Sequence, residues 1–186
     1  TEALENMPAS HMLNPSIRES FRRGVSAIRI QEGVSFERKE VEPENAKVTP
    51  VLATVPAEVF LTHPHLHEEV FGPFSIIVLC KDFAEMKQVA EIMEGQLTAS
   101  IHGTTDEAAL AWALVDILSE KAGRLILNGV PTGVEVCAAM THGGPYPAST
   151  DARFTAVGAH AIWRWLRPVT FQNFTDIGSR FTTENP

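Results

Sequence analysis

The chain has 186 residues, 44% hydrophobic and 20% charged, with a mean hydropathy of −0.01. That is enough apolar content for one packed core, and it excludes disordered, collagen-like and low-complexity classes. Its 15 Lys and Arg against 23 Asp and Glu leave a net charge of −8 and an isoelectric point near 5.3, which argues against a broad electrostatic grip on nucleic acid or an anionic membrane. Two cysteines, Cys80 and Cys137, make no disulfide framework and no C-x-x-C pair, and a reducing cytoplasm is the natural home for them. No apolar run approaches the ~20 residues of a membrane span, and the start lacks the basic and apolar regions of a signal peptide.

The first predicted element is a helix opening near Pro15, where Ile17, Phe21, Val25 and Ile28 recur at intervals of three or four, and it ends near Gln31-Glu32-Gly33. From Phe36 to Pro50 the chain is charged and carries proline, as an exposed loop or edge hairpin would be. Short strands are expected at Val51–Val55 and Val59–Leu61. The second half is more regular: a nearly continuous apolar strand over Phe74–Cys80, then Phe83, Met86, Ala90 and Met93 at helical spacing. A strand at Leu97–Ile101, a helix over Asp106–Lys121 stopped by Gly123, and a strand at Leu125–Leu127 follow.

This β-α-β-α-β order of apolar strands and helical crossovers predicts an α/β fold with an open, mostly parallel sheet covered by helices on both faces. From Gly129 to Gly158 the alternation stops, and a long loop rich in Gly, Pro, Thr and Ala begins just past an apolar strand, where open α/β sheets bind ligands. A last stretch through Trp165, Pro168, Val169, Phe171 and Phe174 resembles an apolar strand that needs a partner edge, and no internal repeat is visible.

Several residues invite a chemical reading. His63, His65 and His67 would share one face of an extended strand as a metal trio, but Pro64 disturbs that geometry and no carboxylate or thiolate motif completes the set, so solvated or loop-stabilising histidines are expected and no metal. Cys80 lies inside a predicted strand as apolar filler, and Cys137, although in the long loop, has no His or Asn signature beside it. Trp163-Arg164-Trp165-Leu166-Arg167 mixes aromatic and basic groups that can stack on bases, yet the acidic balance favours subunit packing. Gly143-Gly144-Pro145 is a common turn, and no G-x-G-x-x-G fingerprint is present.

The strongest local signal is Glu68-Glu69-Val70-Phe71-Gly72-Pro73, directly before a buried strand. A carboxylate accepts hydrogen bonds from the vicinal hydroxyls of a ribose, and a planar Phe packs on a flat heteroaromatic ring. A solvated acidic turn with Phe71 tucked into the core accounts for the same residues equally well.

That hexapeptide resembles a hallmark of the aldehyde dehydrogenases, and Gly95-Gln96-Leu97-Thr98-Ala99-Ser100-Ile101 is similar to the helix-to-strand step that follows it in the family. Arg124 to Val134, continued by Thr141-His142-Gly143-Gly144-Pro145-Tyr146-Pro147 and by Thr150-Asp151-Ala152-Arg153-Phe154, resembles the branch that acts on 2,5-dioxopentanoate. The likeness is specific from about His67 onward.

The resemblance implies that Glu69 binds the nicotinamide ribose of NAD or NADP and that Phe71 lines the nicotinamide pocket. It also implies oxidation of a small oxo-acid semialdehyde, 2,5-dioxopentanoate to 2-oxoglutarate, as the parent activity. Thr141-His142 stand before Gly143-Gly144 where most of the superfamily has Pro-Phe, so substrate contacts from that loop are placed only by region.

The family's nucleophilic Cys lies upstream of residues like Glu68, and neither cysteine here has its context. The resemblance therefore implies a C-terminal piece of the catalytic domain, inactive alone and with no catalytic residue of its own. Residues 1–164 would belong to that domain, and 165–186 would form an oligomerisation strand and tail joining a homo-oligomer. A free-standing α/β binding or interaction module is the alternative.

Overall fold

The computed structural model describes residues 4, 6–37, 47–133 and 135–172. After a two-residue strand β1 (Ser10–His11), helix α1 (Pro15–Arg29) starts where the Asn14 side chain accepts the Ile17 N–H at 2.9 Å and Pro15 presets the first helical φ. Its apolar stripe buries Phe21, Val25 and Ile28. Strands β2 (Ser35–Phe36), β3 (Lys47–Val48), β4 (Val51–Pro56) and β5 (Phe74–Leu79) follow, with the short helix α2 (Ala57–Thr62) between β4 and β5. Strand β2 pairs antiparallel and β5 parallel with β4, while β3 pairs with β1.

In the β4–β5 register Val51, Ala53 and Val55 lie beside Phe74, Ile76 and Val78 on one face. Ile28, Phe60 and Leu66 pack onto that face with Val89, Ile92 and Met93, forming the main core. Full burial of such a side chain contributes roughly 1.5–3 kcal/mol relative to exposure.

Helix α3 (Phe83–Ile92), capped by Asp82 accepting the Glu85 N–H at 2.9 Å, leads to strand β6 (Ala99–Ile101). A capping box at Thr104 and Glu107 opens helix α4 (Ala108–Ser119), which returns to strand β7 (Leu125–Leu127), parallel to β6. The regular second half thus forms close to where its periodicity puts it.

Three expectations change. The run Val59–Leu61 is helical, because Ala57 and Phe60, three residues apart, are the pair that reaches the core. The single open sheet is divided into β2–β4–β5, β6–β7 and the β1–β3 pair, with no pairing between β5 and β6. The packed helices cover one face of β4–β5 rather than both: Ser75, Ile77 and Leu79 alternate on the other and are exposed. The charged segment after Phe36 falls largely on 38–46, outside the described residues, but its ends are drawn into pairing as β2 and β3.

Residues 166–172 form no strand, Ala159–Trp165 is a 3₁₀ segment, and 173–186, including Phe174, lie outside the described residues. Among the described residues no helix is long and apolar enough to cross a membrane.

Candidate functional site

The segment between α2 and β5 is held by its histidines. Pro64–Leu66 form a 3₁₀ turn, so the three imidazoles do not line one strand face. His67 Nε2 lies 2.7 Å from the Phe60 carbonyl oxygen, with its ring centroid 4.5 Å from that of Phe60. His63 Nδ1 lies 2.8 Å from the Val59 carbonyl, and His65 Nδ1 is 2.9 Å from Glu68 Oε1. Each imidazole is directed at a different local oxygen, and together they fix the approach to Glu68-Glu69.

Two consequences follow for the acidic pair. Glu68 is paired with His65, whereas the exposed Glu69 carboxylate has no hydrogen-bond or ionic partner among the described residues. Phe71 is 64% exposed, so it is not tucked into the core. The chain turns after it at Gly72, whose φ of +153° disfavours side chains and where a Cβ would overlap the Phe21 ring of α1. Phe21 in the core thereby sets the path of the backbone that carries Phe71.

Glu69 and Phe71 line a cleft of about 810 Å³. The first residues of β5, Met93 to Thr98, and Pro147 and Ala148 line it with them. The long loop after β7 therefore reaches the cleft with its second half. It begins beyond the carboxyl end of β7, but Gly143-Gly144-Pro145 crosses back to the amino ends of β6 and β7, contrary to the expected position beyond the strand ends. A Cβ on Gly95 would overlap the Pro145 carbonyl oxygen, one on Gly123 the Gly143 oxygen, and one on Gly144 the Gln96 oxygen. Backbone lies directly on backbone there, beside the Gln96–Ala122 bridge.

Buried Thr155 ties the loop further, with Oγ1 accepting the His142 N–H at 2.9 Å and donating to the Val157 carbonyl at 3.0 Å. Arg124 Nη1 donates to the Gly133 carbonyl at 2.8 Å. At the far end of the strands, Asn128 (φ +51°) clamps Gly103 in both directions at 2.9 Å, an interaction whose only trace in the sequence is an Asn where a strand stops.

The two thiols are free and differ in setting. Burial, and then the nearby carboxylates of Glu85 and Asp82, push the Cys80 thiol up, the opposite of what a thiolate nucleophile needs. Cys137 is exposed in the loop. Among the described residues no group of three or more His, Cys, Asp or Glu is arranged to hold a metal ion.

A sequence profile described as the Aldehyde dehydrogenase family matches residues 13–161, which includes the whole cleft. The chain belongs to the aldehyde dehydrogenase family. As a family member it is 44% identical over 176 residues to the Alpha-ketoglutaric semialdehyde dehydrogenase 2 of Azospirillum brasilense, covering 94% of this chain and 34% of that protein. It is 40% identical over 168 residues to the Alpha-ketoglutaric semialdehyde dehydrogenase of Acinetobacter baylyi, covering 89% of this chain and 32% of the relative. This aldehyde dehydrogenase chain thus spans about a third of the length of the curated relatives it matches. The crystal structure of Lactaldehyde Dehydrogenase from Escherichia coli superimposes with a TM-score of 0.62 at 23% identity, over 85% of this chain and 31% of that one, a likeness of fold.

Proposed function

We propose that this chain is the part of an NAD(P)+-dependent semialdehyde dehydrogenase that holds the nicotinamide end of the cofactor, and that Glu69 and Phe71 do the holding. The observation that carries the proposal is the pairing of an uncommitted carboxylate with an exposed aromatic ring two residues on, both lining a cleft of about 810 Å³. Glu69 offers two acceptor oxygens to vicinal ribose hydroxyls, and Phe71 offers a flat apolar surface to a heteroaromatic ring, so the residues present fit the group. Bound NAD(P)+ supplies the hydride acceptor; the chain's contribution is orientation, which sets the geometry for transfer. The histidine-bound turn and the Phe21–Gly72 contact keep both side chains in register.

The substrate we assign is a small oxo-acid semialdehyde, 2,5-dioxopentanoate giving 2-oxoglutarate, supported by the identity to the two curated semialdehyde dehydrogenases. The thiolate that attacks the aldehyde and the base that activates water belong to protein outside these 186 residues, and the chain alone is inactive. The raised Cys80 thiol supports this assignment. We further assign residues 1–164 to the catalytic domain and 165–186 to an arm that joins a second copy, in keeping with Trp165 standing 82% exposed. Free thiols at both cysteines suit a reducing cytoplasm.

The test is Glu69→Gln in the complete enzyme. Loss of one charge-assisted acceptor pair should raise KM for NAD(P)+ or slow hydride transfer by about tenfold or more. Unchanged turnover together with unchanged cofactor affinity would remove Glu69 from the role. A semialdehyde oxidation rate well above a buffer control in the isolated chain would remove the assignment of the nucleophile.

A further inference from the structure

Arg124, the residue before β7, is half-buried and forms no ion pair among the described residues. Its Nη1 donates to the Gly133 carbonyl at 2.8 Å and to Met140 Sδ at 3.6 Å, while Nε is fully buried with no acceptor among the described residues. Taking a guanidinium out of water costs free energy, and a buried N–H left without a partner adds to that cost. An apolar side chain would avoid both costs, so what the guanidinium contributes is its pair of bonds to the loop after β7.

Both bonds leave one nitrogen, which draws Gly133 and Met140 together as the base of a lobe. Residues 135–139 of that lobe are all exposed, and Val136 stands 79% exposed. Their backbone bonds are local, from the Cys137 N–H to the Glu135 carbonyl at 3.1 Å and from the Met140 N–H to the Cys137 carbonyl at 3.2 Å. Among the described residues, Arg124 makes the only hydrogen bonds that join 129–140 to the rest of the chain. The second half of the loop is held otherwise, by Thr155 on His142 and by close backbone contact at Gly95 and Gly123. Compact surface loops with a closed base are frequent sites of function. This one leads directly into the stretch whose Pro147 and Ala148 line the cleft, yet none of residues 129–140 lines it. A change in the lobe should therefore spare the cofactor.

We propose that Arg124 is a positioning residue for aldehyde binding: it touches neither substrate nor cofactor, and through Gly133 and Met140 it fixes the lobe over residues 135–139 as a contact surface for the aldehyde. The proposal rests on the chain being part of a semialdehyde dehydrogenase, and its test separates the two. Whether the complete wild-type enzyme oxidises 2,5-dioxopentanoate is read first, and failure there sinks the functional assignment alone. The variants are then compared on the aldehyde that the wild type does oxidise.

In the complete enzyme, Arg124→Met keeps the length and apolar bulk of the side chain but removes its donors. Amide exchange over residues 135–140 should quicken by about tenfold or more, and KM for the aldehyde should rise by about tenfold or more. KM for NAD(P)+ and kcat at saturating aldehyde should stay within about twofold of wild type, the pattern of a lost binding contribution. Arg124→Lys, whose single nitrogen can reach either acceptor, should recover part of both effects. Guanidinium ion at millimolar concentration, added to Arg124→Ala, should lower KM for the aldehyde again, a rescue that a misfolded variant would not show. Unchanged exchange over 135–140, faster exchange with an unchanged KM for the aldehyde, or an equal rise in KM for aldehyde and cofactor would each overturn the proposal. The last of these would mark general damage to the fold in place of a displaced lobe.

Discussion

Helices α1 and α4 invert the usual relation between composition and burial. Helix α1 is largely polar, with arginines and serines on most of its surface, yet it buries Phe21, Val25 and Ile28 against β4 and β5. Helix α4 is almost entirely apolar and buries nothing completely. The region from α1 to α3 has closed its own core, whereas around β6, β7 and α4 Ile101 and Ala122 are the only described hydrophobic residues that are buried. Apolar content records how much surface a segment needs covered, and only packing shows whether the same chain supplies the cover.

The largest effect that tests this contrast is a pair of truncations in the isolated chain. Phe60→Ala empties the closed core and should cost about 3–5 kcal/mol in chemical denaturation, while Trp112→Ala removes a larger but exposed ring and should change stability by less than ~0.5 kcal/mol. Comparable losses would show that α4 is as well packed as the core between α1 and α3.

Next comes Gly123→Ala. The added methyl meets the Gly143 carbonyl, which is backbone and cannot rotate away, so the substitution should cost about 1–3 kcal/mol. Amide exchange should rise over residues 142–149, with the α1–β4–β5 core unaffected. Slow exchange throughout would mean that the loop is not held by this contact.

The smallest effect concerns Asp151, whose carboxyl is lowered to about 2 because Arg153 donates to both of its oxygens, at 2.9 Å and 2.6 Å. A folded-state value below the ordinary 3.8 means that the pair's contribution is complete above about pH 4 and is lost as pH falls through about 2. The pair is solvent-exposed, so little global stability rides on it. A carboxyl-carbon NMR titration should give a midpoint near 2, and a midpoint near 3.8 would mean that the pair does not form in solution.

Much of the local structure was legible because the period is strong. Phe21, Val25 and Ile28 mark α1, the apolar run at 74–79 marks β5, and Gly123 marks the stop before β7. Val59–Leu61 was not, since a short apolar run fits either period and the decision lay with Phe60 and Ala57 turning together into the core. In the candidate site, the Glu69–Phe71 motif stood out, but the roles of Gly95, Gly123 and Thr155 did not. Each of these acts on a partner many residues away, and neither periodicity nor motif encodes a contact of that range.

By itself the sequence determined the strand and helix alternation of the second half, the acidic surface, and the residues that place the chain in the aldehyde dehydrogenase family. These are properties of local spacing and composition. Only the tertiary structure decided that the second half of the long loop folds back to the amino ends of β6 and β7, that Glu69 is left uncommitted while Glu68 is paired, and that the strands divide into separate small sheets. These outcomes depend on steric fit between distant backbones and on which surfaces find cover, quantities that exist only once the chain has packed.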